Sequence, residues 1–374
     1  MKVVIIGTVA LSIFGFRMPL IKALLKKRYQ VFAFAIDYSI EQKNALLNMG
    51  VVPVDYDLSR SGLNPISDLK MMFVLMAKLN DLKPDVVLSY FVKPVIYGSL
   101  AARLAKVPKR IAMLEGLGFA FTIQPDGQAM KTKIIQKVQL FLYRMAFPAT
   151  TQLIFLNPDD RDELLTKHKL PSKKSSILGG IGLDLTDYPY QAPHQNKIRF
   201  LFIGRLLKEK GILHYLASAK QVKKLYPDVE FIVLGSTDNT SPNALSEKEL
   251  NNAVQSGLIT YPGQVNDVSV WIAKSSVFVL PSFREGVPRS SQEAMAVGRP
   301  ILTTDVPGCR ETVVEGENGF LVPPFDVDKL VEKMIWFIEN PDQIEPMGLA
   351  SRKMAEDKFD VHKVNARMLE IMGL

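Results

Sequence analysis

Short β-branched apolar runs alternate along this chain with segments in which apolar positions return every three or four residues. Residues 3–7, 30–35, 51–54, 86–90, 110–114 and 153–156 have the length and composition of strands, with amphipathic stretches between them. That rhythm predicts a parallel, doubly wound sheet. It restarts after the proline-punctuated stretch Tyr188-Pro189-Tyr190-Gln191-Ala192-Pro193, with further strands expected at 199–203, 230–234, 259–261, 277–280 and 300–303. The expected architecture is α/β, with two Rossmann-like domains facing each other across a cleft. The boundary falls near 185–196, giving domains 1–188 and 189–350, with residues 351–374 as a C-terminal helix packing back on the first. Ligands of such sheets bind beyond the carboxyl ends of the strands.

Composition agrees with two cores: 374 residues exceed one ordinary domain, and 47% of them are hydrophobic. A single cysteine, Cys309, excludes a disulfide framework or a cysteine-rich metal site. The chain opens directly on an apolar strand pattern, so no signal peptide is read and a reducing cytoplasm is expected. The longest apolar run, 71–77, is far short of the ~20 residues a spanning helix needs. Charge is uneven. Residues 1–188 hold 25 Lys+Arg against 15 Asp+Glu, net +10, whereas the remainder holds 21 against 23, net −2. The basic half suits an anionic partner (nucleic acid, an anionic leaflet or a phosphorylated substrate) and equally suits a plain soluble surface.

Two loops at expected strand ends carry chemistry. "FIGRLLKEKG", residues 202–211, places Gly204, Arg205 and Lys210 between a strand and a helix beginning near Gly211. Arg205 has the fork for phosphate oxygens and Lys210 is a movable point charge, unless both are solvated charges on a turn. "REGVPRSSQEAMAVGRP", residues 284–300, puts Glu285 on a loop and Glu293 in the early turns of a helix that starts near Arg289 and stops at Gly298. The amides of residues 287–291 at that helix start form a natural anion site for a diphosphate. Glu293 is then placed to accept from a ribose and Glu285 from sugar hydroxyls. The plainer reading is that both carboxylates complement the helix dipole.

The segment "EGVPRSSQEAMAVGRPILTTDVPGCRETV", with its E-x7-E pair, resembles the signature of retaining nucleotide-sugar glycosyltransferases of family 4. "GRLLKEKG" is similar to that family's arginine–lysine phosphate loop, and "ILGGIGLDLTDYP" to the segment entering the second domain. The resemblance covers nearly the whole chain and implies the GT-B fold, with donor bound mainly by the C-terminal half and acceptor by the N-terminal half. "FGFRMPLIKAL", "DLSRSGLNP", "LEGLG" and "GSTDNTSPNALS" resemble a subgroup that adds N-acetylgalactosamine to undecaprenyl-diphosphate-linked saccharides; capsule and exopolysaccharide transferases share parts of these segments.

Carried over, the resemblance implies Arg205 and Lys210 at the leaving diphosphate, Glu293 at the ribose and Glu285 near the transferred sugar. Gly204, Gly286, Val287, Pro288, Ser290 and Ser291 complete the UDP-sugar site. Gly15, Phe16, Arg17 and Arg60 are expected at the lipid-diphosphate acceptor. Many members carry a histidine near the strand end occupied here by "LEGLG", but His168, His194, His214 and His362 all lie elsewhere. Glu115 is therefore the candidate base, with holding a loop as its alternative.

No metal or other cofactor is expected. Of two D-x-D strings, Asp55–Asp57 lies away from the donor half, and Asp326–Asp328 suits a helix cap. Between Met130 and Phe147, apolar residues keep a helical period with Lys131, Lys133, Lys137 and Arg144 around them. This predicts an amphipathic helix packed on its own core, or else an interfacial helix touching an anionic membrane. The expected location is cytoplasmic, peripheral on the inner membrane. A nicotinamide enzyme is disfavoured because Gly7 and Gly15 do not make the G-x-G-x-x-G spacing, and nucleic-acid binding has charge but no motif. A sugar-nucleotide epimerase, a phosphorylase or a non-catalytic nucleotide-sugar binder would share the two-sheet plan.

Overall fold

In the computed structural model, which describes residues 1–57, 65–125, 127–193, 197–237, 241 and 243–374, the chain builds two parallel sheets. The first contains β1 (Lys2–Ile6), β2 (Gln30–Ala35), β3 (Val51–Asp55), β4 (Val86–Tyr90), β5 (Lys109–Leu114), β6 (Gln152–Phe155) and β7 (Ser175–Ile177), in the order 3-2-1-4-5-6-7. β1 lies in its interior, between β2 and β4, with Val3 opposite both Val31 and Val86. Residues Val3 to Ile6 are fully buried because helices cover both faces of the sheet, which explains a continuous apolar run where a one-sided strand would alternate.

The second sheet contains β8 (Arg199–Ile203), β9 (Glu230–Leu234), β10 (Thr260–Gly263), β11 (Val277–Leu280), β12 (Ile301–Thr304) and β13 (Gly319–Val322), in the order 10-9-8-11-12-13. Its strand order reverses between β8 and β11, the place where open α/β sheets hold ligands beyond their carboxyl ends. β7 and β13 were not expected. Both are short edge strands: Ser175-Ser176-Ile177 is mostly polar, whereas Gly319-Phe320-Leu321-Val322 is apolar and mostly buried but only four residues long and opened by glycine.

Contacts divide the chain into two units. The first holds Met1–Ala120, Met130–Leu178 and Val364–Leu374; the second holds Phe121–Ala129 and Gly179–Lys363. The expected boundary near 185–196 thus falls inside the second unit, since the proline-rich stretch is tied to it: Gln191 N donates to the Val297 carbonyl at 3.2 Å. The end of the chain counts with the first unit, where Lys109 Nζ donates to the Gly373 carbonyl at 2.5 Å. Among the described residues no helix is long and apolar enough to cross a membrane.

The helix Met130–Ala146 departs from the expectation that its apolar face packs inward. Its buried residues are Thr132, Tyr143 and Ala146, whereas Met130, Ile134, Phe141 and Met145 are exposed. The helical period is real, but the stripe it draws straddles the helix's edge: Ile135, Val138 and Leu142 are half-buried, while Ile134, Phe141 and Met145 face solvent.

Candidate functional site

Three loops of the second unit meet at the carboxyl ends of β8, β11 and β12. After β8 the chain passes Gly204 and Arg205, makes a tight turn at Lys208–Lys210 and enters the helix Ile212–Leu225 at Gly211. Gly211 has φ +77°, and a Cβ there would stand 1.9 Å from the Pro281 carbonyl oxygen, so only glycine lets this loop lie against the end of β11. The contact is fastened by Phe283 N, which donates to the Glu209 carbonyl at 2.9 Å.

This closeness brings Lys210 to Glu285. Lys210 Nζ donates to both carboxylate oxygens, at 2.6 and 2.7 Å. The hydroxyl of fully buried Ser282 lies 2.8 Å from Glu285 Oε1 and 3.0 Å from the Glu209 carbonyl. The backbone of Glu285 is held from the β12 side, its amide donating to the Pro307 carbonyl at 3.0 Å. Behind it, burial and the charge of Glu285 push the Cys309 thiol up to about 12. Arg205 is exposed on the same turn as Gly204.

The helix Arg289–Val297 begins at Pro288 with no side-chain cap and ends at Gly298, which takes the left-handed conformation expected of a helix stop. Gly286, Val287 and Pro288 are buried under the loop. Ser291, in the first turn, is fully buried, and among the described residues its hydroxyl has no hydrogen-bond partner. An uncapped helix start beside an unpartnered hydroxyl is a concentration of donor capacity suited to an anion. Glu293 is already engaged: Tyr188 Oη donates to it at 3.0 Å and Arg289 Nε at 2.9 Å. Burial, and then the neighbouring Glu293 charge, raise the Tyr188 phenol above its ordinary value. Arg284 Nη1 donates to the Phe121 carbonyl at 3.2 Å, one of the ties that place 121–129 in this unit.

In the first unit, Gly15, Phe16 and Arg17 lie on one π-helical turn, Ile13–Arg17. Gly15 and Phe16 are exposed, but Arg17 is only 3% exposed. It forms an ion pair with Glu115 and sets its guanidinium 4.2 Å over the Tyr90 ring; Tyr90 Oη in turn is 2.7 Å from Ser12 Oγ. Two residues assigned separate tasks therefore form one buried pair beyond β1, β4 and β5. Arg60 lies outside the described residues, as do His194 and parts of "DLSRSGLNP" and "GSTDNTSPNALS". Asp326 accepts from Lys329 N at 2.9 Å as a helix cap, and Asp55 pairs with Lys43.

Sequence reasoning overlooked Ser282, Tyr188 and Tyr90 as partners of the site. The Arg289–Glu293 bond was readable as an i,i+4 pair. The Tyr188 and Ser282 contacts depend on chain reversals that no local pattern records.

Two family models match: Glycosyl transferase 4-like over residues 2–157 and Glycosyl transferases group 1 over residues 189–354. The chain has the fold of sucrose-phosphate synthase from Thermosynechococcus elongatus (TM-score 0.79, 17% identity, covering 99% and 98% of the two chains). It also matches Anabaena HepE, solved with UDP and glucose (TM-score 0.76, 16% identity, 100% and 99%). These likenesses establish the GT-B architecture. In sequence it is 30% identical, over 99% of its length and 98% of the relative's, to the N,N'-diacetylbacillosaminyl-diphospho-undecaprenol α-1,3-N-acetylgalactosaminyltransferase of Campylobacter jejuni. It is 28% identical to the UDP-Gal:α-D-GlcNAc-diphosphoundecaprenol α-1,3-galactosyltransferase of Escherichia coli, covering 72% of this chain and 70% of that one. The chain belongs to the group 1, family 4-like glycosyltransferases, and is a hexosyltransferase of GT-B fold.

Proposed function

We propose that this protein is a retaining transferase that moves N-acetylgalactosamine, or a related hexose, from a UDP-sugar to an undecaprenyl-diphosphate-linked saccharide during glycan assembly. The observation that carries the reading is the convergence of Lys210, Glu285 and the uncapped start of the helix Arg289–Val297 at the carboxyl ends of one sheet. The full-length likeness to the Campylobacter enzyme supports the choice of sugar and acceptor.

In this reading Arg205 and Lys210 hold the diphosphate, together with Gly204, Gly286, Val287, Pro288, Ser290 and Ser291. Glu293, fixed by Tyr188 and Arg289, accepts from the ribose. Glu285 accepts from the transferred sugar once Lys210 turns to phosphate. In the reaction the anomeric C–O bond to the diphosphate breaks, the acceptor oxygen takes its place, and the acceptor proton must be removed. Negative charge grows on the leaving diphosphate, so fixed cations and a helix start aimed at it supply most of the stabilisation. Glu115, paired with Arg17, is the candidate to receive the proton. Gly15, Phe16 and Arg60 are assigned to the acceptor. No metal or other cofactor is assigned, and nucleic acid is not a partner. The work is placed at the cytoplasmic face of the inner membrane, with peripheral contact through the N-terminal unit.

A capsule or exopolysaccharide transferase using another nucleotide sugar is the second reading. It is favoured by 26% identity over 83% of this chain to the capsular polysaccharide glycosyltransferase CapM of Staphylococcus aureus. Incubating the purified chain with a panel of UDP-sugars and lipid-diphosphate acceptors decides between them. The expected result is UDP release from UDP-N-acetylgalactosamine only when a lipid-linked saccharide is present. Sugar interconversion without acceptor, or turnover untouched by both Arg205→Ala and Lys210→Ala, would overturn the reading.

A further inference from the structure

Two helices of the first unit turn large apolar side chains away from their own core. On Pro65–Leu82 these are Ile66, Leu69, Phe73 and Val74; on Met130–Ala146 they are Met130, Ile134, Phe141 and Met145; all eight are 46–74% exposed. At 100° per residue the second set falls within an arc of about 60°, roughly opposite the buried Thr132, Tyr143 and Ala146. On the first helix the buried Met71, Met72, Leu75 and Leu79 likewise occupy the opposite side. Isolated exposed apolar residues are ordinary; two aligned stripes are not.

Topology puts the stripes on one side of the sheet. The connections β3 to β4, β4 to β5 and β5 to β6 all step in the same direction across the order 3-2-1-4-5-6-7, and right-handed crossovers then lie on the same face. Both helices pack on the Pro94–Gly98 turn between them. Their first turns rise from the carboxyl ends of β3 and β5, the edge where ligands of such sheets sit.

Charge selects the occupant. Exposed Lys131, Lys133, Lys137 and Arg144 border the second stripe, and residues 130–146 contain no Asp or Glu. Lys70 is exposed within the first stripe; Asp68 of that helix is buried and paired with Lys93, and its exposed carboxylate, Asp81, stands on the stripe's side in the last turn, two turns beyond Val74. Apolar side chains ringed by lysine and arginine match an anionic bilayer, whose acyl boundary takes the first and whose headgroups take the second. A protein partner would supply carboxylates to meet those cations, and nothing else in the arrangement calls for one.

We infer that the helices Pro65–Leu82 and Met130–Ala146 together form a docking face for an anionic lipid bilayer, lying in its surface. This names the face for the peripheral contact in the proposed function and rests on that reading for its purpose alone, since lipid binding is measured without substrate.

The test is sedimentation of the purified full chain with vesicles of phosphatidylcholine and phosphatidylglycerol, against vesicles of phosphatidylcholine alone. Binding is expected to the anionic vesicles, weakening as salt rises. The double variants Leu69→Glu/Phe73→Glu, Ile134→Glu/Phe141→Glu and Lys133→Glu/Lys137→Glu should each lower the partition coefficient at least tenfold. Their melting temperatures and turnover of a water-soluble, short-chain lipid-diphosphate acceptor should stay near wild type. Wild-type protein that ignores anionic vesicles, or variants that bind them undiminished, would overturn the inference. So would a wild-type dimer that the Glu variants split without any vesicle binding, which would make the face an interface between copies. If turnover of the short-chain acceptor is absent while vesicle binding follows the expected pattern, the proposed function fails and the docking face stands.

Discussion

Lys210 Nζ sits between the two carboxylate oxygens of Glu285, at 2.6 and 2.7 Å, across 75 positions of sequence. In the proposed function Lys210 serves the diphosphate and Glu285 the sugar, and here the two charges neutralise each other, so donor binding is expected to exchange one partner for another. Lys210→Ala is expected to lower kcat/KM for UDP release by about 10²–10³-fold. Adding Glu285→Ala should cost less than the sum of the two single losses, because each single change leaves the other charge unpaired. Additive losses in a double-mutant cycle would show that the pair is incidental.

Ser282 is fully buried, with its hydroxyl within hydrogen-bond reach of Glu285 and of the Glu209 carbonyl. Ser282→Ala should destabilise the protein by about 1–2 kcal/mol in denaturant titration. It should also lower kcat more than it raises KM for the donor, since Glu285 loses a fixed neighbour while the phosphate contacts remain. An unchanged kcat would confine Ser282 to a structural part.

Gly308 has φ +79°, and a Cβ there would lie 2.3 Å from the Glu285 carbonyl oxygen and 2.5 Å from that of Gly286. Gly257 shares a positive φ, +67°, but has open space around it. Gly257→Ala should cost roughly 1 kcal/mol from backbone strain alone, and Gly308→Ala clearly more, with weakened UDP affinity as the loop is pushed off. Chemical denaturation of both variants, with UDP titration by calorimetry, measures the difference.

Arg17 and Glu115 are 3% and 10% exposed. Arg17→Leu strands a buried carboxylate and should cost about 3–5 kcal/mol, with a matching fall in Tm. Arg17→Leu combined with Glu115→Leu should recover much of that loss. If Arg17→Leu melts like wild type, the pair is not a buried one in solution.

Burial lowers the pKa of His214, whose Nδ1 is buried with no partner among the described residues and whose ring meets the edge of Phe283 at 5.3 Å. The folded protein resists a proton that the unfolded chain accepts from about pH 6.5 downward. This contribution is therefore present above that pH and lost as pH falls toward the lower folded-state value. Tm should fall less between pH 7.5 and 5.5 in His214→Phe than in wild type. Equal falls would remove His214 from the acid response.

Much of the site was legible in order along the chain. The loop 202–211 does follow a strand, and the helix after Pro288 does stop at Gly298, because strand runs, proline and glycine act through local backbone preferences. What escaped were relations between distant segments. The Arg17–Glu115 pair joins residues on different connections, and Glu293 is claimed by Tyr188 from the stretch expected to hold the domain boundary. The edge strands β7 and β13 escaped too: the first is mostly polar, as an edge position allows, and the second is only four residues long and opened by glycine.

The sequence by itself determined the alternation of strand and helix and the doubling of the sheet, because periodicity is a property of neighbours along the chain, and its quoted segments carried the resemblance to the family. Only the tertiary structure decided which way the stripe of Met130–Ala146 faces and which charges are already spent on each other. A helical period says that one side is apolar, but what that side meets depends on where the rest of the sheet places the helix.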